Sequence, residues 1–166
     1  VVEATDDCNG SSHCWDVEDV DGMAIGTCTS FCTGTPDDPQ CPTGSHCLIS
    51  NKGSISLCVA TCDPVLQDCE GSTACFWASN QFTCLSSSQD LPTGDPCGFV
   101  NDCAGTNVCL DAAVFPDCAG EACCAAYCDL QDPDACPDPQ LECAAFFDAQ
   151  VTPEGFEHVG VCVLPP

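Results

Sequence analysis

The chain has 166 residues, of which 21 are Cys, 26 are Asp or Glu and one is basic, Lys52, so its formal charge is −25. Nucleic-acid binding needs Lys and Arg to neutralise phosphates, and an anionic membrane surface repels an acidic chain, so both partners are excluded on Coulombic grounds. No apolar run approaches the roughly 18–20 residues that cross a bilayer, so no direct membrane insertion by this segment is expected.

Cysteine above about 8–10% in a short chain is the composition of a disulfide scaffold, which persists in an oxidising compartment. The sequence therefore predicts a secreted protein, extracellular or at a cell surface. Val1 is not an initiator Met, which predicts a signal or anchor segment upstream. Zinc is the rival explanation for so much sulfur. Its sites pair Cys hooks with one another or with His-x3–5-His, whereas this sequence has no C-x-x-C and no C-x-C, and His13, His46 and His158 stand singly. Structural disulfides are the reading, with no cofactor and no metal site built from the cysteines.

In chain order the cysteines fall into five units, each framed by a leading, a second, a third and a closing Cys. Unit one shows three of these, Cys8, Cys14 and Cys28, and its stretch WDVEDVDGMAIGT (15–27) reads as strand, Asp21-Gly22 turn, strand. Unit two is Cys32, Cys41, Cys47 and Cys58, with a hairpin over 48–57 that turns at Asn51-Lys52-Gly53. Unit three is Cys62, Cys69, Cys75 and Cys84, and its FWASNQFT (76–83) turns near Ser79-Asn80. LSSSQDLPTGDP (85–96) follows, and its Ser, Pro and Gly content marks a linker without a core. Unit four is Cys97, Cys103, Cys109 and Cys124, and unit five is Cys128, Cys136, Cys143 and Cys162, both with longer and less defined hairpins. Residues 1–84 thus form one block of three units and 97–166 a second block of two.

Homology between units rests on two recurring phrases. CNGSSHC (8–14), CPTGSHC (41–47), CEGSTAC (69–75) and CAGTNVC (103–109) each carry Gly at the third or fourth place, where a tight turn favours it. CTSFC (28–32), CVATC (58–62) and CAAYC (124–128) repeat as joints, and such periodicity marks a modular array. Cys118 and Cys123 have no equivalent in the other units, and the economical reading pairs them with each other. The second block then holds ten cysteines and closes on itself, while the first holds eleven. What the first lacks is a leading Cys for unit one, the counterpart of Cys97, and its partner is expected upstream of Val1 or on another molecule. Four cysteines permit three pairings, and spacing alone does not choose among them.

No stretch shows a 3.6-residue apolar period with caps, so helix is expected to be scarce. Each unit is too short to be stable through a hydrophobic core alone, and bridges compensate. Trp15, Phe76, Trp77, Phe82, Tyr127, Phe146 and Phe147 are expected to pack as small clusters against the cystines. The fold class is small and disulfide-rich, a tandem array of five four-cysteine β-hairpin units with little helix, elongated rather than a single globule.

Few residues point to chemistry. His13 and His46 hold equivalent places before a third cysteine, and repetition of position indicates a structural role. No G-x-S-x-G elbow, H-E-x-x-H helix or Gly-rich phosphate loop is present, so no catalytic residue is assigned. The acidic run Asp16, Glu18, Asp19 and Asp21 is a weak calcium candidate, since hard cations take carboxylate oxygens, but it lacks the D-x-D-x-D-G-x5-E register. Alternation along a strand more simply puts these side chains on a wet face. Asn9-Gly10-Ser11 is an N-glycosylation sequon, making Asn9 the candidate acceptor.

Two resemblances extend this reading. The spacing of units two and three is similar to the first four cysteines of epidermal growth factor-like modules, which pair first to third and second to fourth. That resemblance implies a Cys8 to Cys28 bond and leaves Cys14 as the odd cysteine, a candidate for an intermolecular bridge. At GDPCGFVNDC (94–103), TCDPVLQDC (61–69), CAGEACCAAYCDL (118–130) and EHVGVC (157–162), the chain also resembles a family of secreted or lipid-anchored cysteine-rich proteins of myxobacterial-type Gram-negative bacteria. Members commonly carry a ribulose-phosphate epimerase label. Such epimerases are similar to one another as (β/α)8 barrels, which need at least ~200 residues of alternating strand and helix, so the label does not fit this chain. The resemblance implies a compartment and a lineage, with no activity.

The functional expectation is a non-enzymatic extracellular structural protein, a disulfide-stapled rod on the cell surface or a subunit of a self-assembling extracellular fibre. The alternative is an extracellular binding module for a glycan, a protein or divalent cations.

Overall fold

A computed structural model describes residues 7–50, 53, 55–132 and 135–165, with the side chains of Glu18 and Ser50 outside that description. The turn expected at Asn51-Lys52-Gly53 lies largely outside the described residues. Those residues are almost all strand and turn. They include a 3-10 turn, Ala112–Val114, and no α-helix. The strands are β1 (Ser12–Val20), β2 (Met23–Ser30), β3 (Thr33–Thr35), β4 (Asp38–Gln40), β5 (Ser45–Ser50), β6 (Ile55–Ala60), β7 (Thr73–Ala78), β8 (Gln81–Ser86), β9 (Asn107–Asp111), β10 (Ala122–Asp129), β11 (Glu142–Ala145) and β12 (Val159–Val163).

Two of the expected turns are formed by the residues that signal them. Asp21 and Gly22 both have positive φ, 54° and 82°, as do Ser79 and Asn80, 52° and 63°. Two consecutive left-handed residues make the mirror-image turn whose twist matches antiparallel strands, and it closes β1 onto β2 and β7 onto β8 with two-residue loops. The Asp19 carboxylate accepts a hydrogen bond from the Gly22 amide at 2.8 Å and holds the first of them. The β1–β2 register slips between Trp15 and Glu18, where Asp16 has φ 57°, so a bulge bends the strand there.

Ten disulfides staple these elements. Cys32 bonds Cys47 and Cys41 bonds Cys58; Cys62 bonds Cys75 and Cys69 bonds Cys84. Cys97 bonds Cys109 and Cys103 bonds Cys124; Cys128 bonds Cys143 and Cys136 bonds Cys162. Cys8 bonds Cys28, and Cys118 bonds Cys123. Bridges of this span stabilise chiefly by restricting the unfolded chain, by roughly 3 kcal/mol for a loop of about 15 residues.

The chain divides into two compact lobes, one built from residues through 61 together with 78–83, the other from 62–77 together with 84 onward. In the first lobe β5 and β6 bury Cys47, Leu48, Leu57 and Val59, with Phe82 and Thr83 fully enclosed. A short hairpin absent from the sequence expectation, β3–β4, sits between Cys32 and Cys41. Gly34 permits it, because a Cβ there would run into the Asp38 carbonyl and its φ is +85°.

The second lobe departs from a row of independent hairpins. Its main sheet has four antiparallel strands in the order β11-β12-β10-β9. Residues Ala122–Ala126 of β10 pair with β9, and Tyr127–Asp129 pair with β12, so one continuous strand belongs to two cysteine frames. Ala125, Tyr127, Val108, Val159 and Val161 fill its buried positions with Cys123, Cys124 and Cys162. Residues 85–96 are bonded to this lobe along their length. The Ser88 amide donates to Asn101 O, Leu91 N to Asp102 O, Ala104 N to Leu91 O and Gly94 N to Cys124 O, all within 2.9 Å.

Candidate functional site

Cysteine sulfur dominates any search for convergent chemistry. Among the described residues, the groups of three or more potential ligand side chains within 4.8 Å of one another are four cysteine sets: Cys32, Cys41 and Cys58; Cys62, Cys69 and Cys75; Cys97, Cys103 and Cys109; and Cys128, Cys136 and Cys162. Every sulfur in them belongs to a disulfide, so each set is a pair of neighbouring bridges. Strand register explains the proximity. Third and closing cysteines lie directly opposite on paired strands, Cys47 with Cys58, Cys109 with Cys124 and Cys143 with Cys162, and each reaches outward to a different partner. Cys14 lies opposite Cys28 in the same way, is half-buried, and stands outside the ten bridges.

The acidic run is spread along the β1–β2 hairpin. Asp16 sits at the bulge, Asp19 serves the turn through Gly22, and Asp21 is exposed at the turn itself. The Glu18 side chain lies outside the described residues, and none of Asp16, Asp19 and Asp21 joins a set of potential ligands as defined above. Asn9 is exposed, and its Oδ1 accepts from the Ser11 amide at 3.0 Å and from the hydroxyls of Ser11 and Ser12 at 2.6 and 3.2 Å. This carbonyl fixes the entry to β1.

The histidines occupy three separate settings. His13 stacks on Phe31 with ring centroids 6.3 Å apart, and His46 Nε2 lies 3.0 Å from Ser79 O. His158 Nε2 meets Asp63 Oδ2 at 2.9 Å. The other Asp63 oxygen accepts from the amides of Val65 and Leu66 at 2.9 and 3.2 Å, which makes this carboxylate an organiser of the 63–68 turn.

One feature was missed in the sequence. Asp102 is almost wholly buried, and its carboxylate accepts from the Ser88 hydroxyl on one oxygen and from the amides of Gly98 and Phe99, at 2.9 and 2.8 Å, on the other. The Ser88 hydroxyl foremost, then Gln89 and the Gly98 and Phe99 amides, hold its carboxyl well below the usual carboxylate range. The only sequence signal is its place four residues after Gly98 and three after Phe99, where a carboxylate can gather turn amides. Four of the aromatic residues expected to cluster, Trp77, Tyr127, Phe146 and Phe147, pack together in the second lobe. Phe147 packs edge-on against Trp77 and Phe146, centroids 4.9 and 4.8 Å apart, and Phe146 packs against Tyr127 at 5.9 Å. Burial pushes the Tyr127 phenol above its ordinary range.

The second lobe also contains a cleft of about 280 Å3, lined by Phe115, Pro116 and Asp117 and by Pro137, Asp138, Gln140 and Leu141 together with Thr93 and Gly94. No protein-family model, no curated protein and no solved structure matches this chain.

Proposed function

We propose that this chain is an extracellular, non-enzymatic structural protein, an array of five four-cysteine units that builds a disulfide-stapled rod on a cell surface or within an extracellular fibre. The observation that carries this reading is the recurrence of one bridging rule. In units two to five the leading Cys bonds the third and the second bonds the closing one. A repeated covalent frame invests the sequence in persistence, since each bridge restricts the unfolded chain whatever the side chains around it do. Disulfides in this number belong to an oxidising compartment. With Lys52 as the single basic residue, the chain also offers one cleavage site to trypsin-like proteases.

A charge of −25 opposes self-association at low salt, so assembly between copies depends on screening. The test is imaging of native secreted material by electron microscopy in low and in moderate salt, combined with its intact mass before and after reduction. Filaments or a surface layer that form on screening support the reading. Dispersed monomers under both conditions overturn it.

A further inference from the structure

We propose that the cleft between the 115–118 loop and the 137–141 turn binds a small organic cation, an amine with an apolar body. This site is separate from the fibre reading and stands or falls without it. The argument begins with the part of the sequence that breaks the repeat. Cys118 and Cys123 form an extra bridge that no other unit has, and departures from a repeat concentrate on binding faces.

The extra bridge rigidifies a wall. Between Cys109 and Cys118 the chain leaves β9, makes the 3-10 turn Ala112–Val114 with the Asp111 carboxylate capping the Ala113 amide at 2.8 Å, and presents Phe115 and Pro116. Val114 O accepts from the Leu164 amide at 3.0 Å, which ties the same turn to the chain beyond β12. Gly94 has φ +91°, and the place a Cβ would occupy there is 3.6 Å from the Phe115 ring. The ring is thus seated on backbone, and the wall is ordered before any ligand arrives, which lowers the entropic cost of binding.

The lining then selects the ligand. Phe115, Pro116, Pro137 and Leu141 give apolar sides, Ala126 and Cys162 also line the cleft, and Asp117 and Asp138 supply two carboxylates. No Lys or Arg belongs to this lobe, because Lys52 is the only one in the chain. An anionic ligand is repelled, and a neutral one draws nothing from the two negative charges. A bare calcium ion would want six to eight oxygens and has no use for the apolar walls. A primary amine attached to an apolar body uses both, and a cleft slightly below the usual ~300–1,000 Å3 of ligand sites suits a small one.

The experiment titrates the full 15N-labelled, disulfide-intact chain with phenethylamine at neutral pH in about 0.15 M salt, where diffuse surface attraction is largely screened. The expected result is saturable shifts centred on Gly94, Phe115, Ala126 and Asp138. Asp117→Asn and Asp138→Asn should each weaken binding by about tenfold, the scale of one charge-assisted contact. Asn tolerates the left-handed φ of residue 117, 54°, and preserves the oxygen that accepts from the Gln140 amide at residue 138, so both variants keep the fold. Phenylacetate should not bind. Shifts scattered over the acidic surface, equal binding of phenylacetate, or binding indifferent to both substitutions would each overturn the proposal.

Discussion

The β1–β2 hairpin of the first lobe and the β11–β12 hairpin of the second are built on one plan and meet opposite fates. In both, the third cysteine faces the closing one across the strands, Cys14 opposite Cys28 and Cys143 opposite Cys162. In both, a Gly stands two residues before the closing Cys, and the place of its absent Cβ lies 2.6 Å from the third cysteine's sulfur. Yet β12 is enclosed, with Val159 at 1% and Cys162 at 0% exposure, whereas Met23 and Ile25 of β2 are 61% and 51% exposed. The second edge of β12 is paired with β10, whereas among the described residues β2 has β1 as its only sheet partner. A cysteine frame therefore shapes a hairpin but does not make it core. The neighbouring strand does that, and VGVCV lines one face with three valines, Val159, Val161 and Val163, where MAIGTCTS offers Ile25 and two threonines.

The contrast is broken most forcefully by deleting bridges. Replacing Cys136 and Cys162 together by Ala removes a fully buried sulfur from the sheet centre and should cost about 2–5 kcal/mol, with loss of exchange protection in β10, β11 and β12 alike. The matching pair, Cys8 and Cys28 to Ala, should loosen β1–β2 while leaving the melting of the second lobe in place. Calorimetry with hydrogen exchange measures both, and equal global destabilisation by the two would mean that the first hairpin is coupled to a core after all.

A smaller effect separates the two glycines. At Gly160 an added Cβ meets the sulfurs of Cys143 and Cys128 at 2.6 and 3.0 Å and the Ala144 carbonyl at 2.9 Å, all held by the sheet. Gly160→Ala should cost about 1–3 kcal/mol, the scale of an overpacked core. At Gly26 the neighbours are Cys14 Sγ, Trp15 O and the Val17 methyl, beside the β1 bulge, where the strand can shift outward. Gly26→Ala should therefore cost distinctly less in a chemical denaturation series, and a reversed order would place the rigidity in the wrong hairpin.

What the sequence made legible follows from how local each signal is. Asp21-Gly22 and Ser79-Asn80 announce their turns because two left-handed residues in a row suit few side chains. The scarcity of helix was legible from the missing 3.6-residue period. The sharing of β10 between two frames was not, because reading the chain unit by unit pairs each strand only with its sequence neighbour, and β12 lies far downstream. Segment 85–96 reads as a joint by composition, but its hydroxyls are used as bonds, Ser87 to Cys103 O and Ser88 to Asn101 O. Asp102 is one acidic residue among many in sequence, and only folding gathers the Ser88 hydroxyl and the Gly98 and Phe99 amides around it. The cleft likewise depends on two loops brought together by strand pairing, although the unmatched Cys118 and Cys123 mark one of its walls.

Acid sharpens the comparison, since the two lobes lock their loops with different chemistry. Asn9, an uncharged amide, holds the entry to β1, while Asp102, an ionised carboxylate, holds the 88–99 joint. A carboxyl whose folded pKa is depressed contributes stability that is fully present above its unfolded pKa, about 3.9, and is lost as pH falls toward the folded value. Asp102→Asn should thus melt several degrees below the parent protein at neutral pH, with a gap that narrows progressively below about pH 4. A gap that stays constant down to about pH 2 would show that shape, and not charge, makes the lock. Protection at Ser11 and Ser12, tied to Asn9, should not follow the same titration.

The smallest effect is expected at the β1–β2 turn. Asp19→Ala removes the 2.8 Å bond to the Gly22 amide at an exposed site, a loss of about 0.5 kcal/mol. Because β1–β2 carries Val17, Val20, Met23 and Ile25 on its surface and not inside a core, that loss has few neighbours through which to spread. Faster amide exchange confined to residues 17–25, with the thermal midpoint unchanged, is the result the contrast requires. A midpoint drop as large as that of Gly160→Ala would mean the hairpin shares the cooperativity of the sheet, and the two copies of the frame would then differ in exposure without differing in stability.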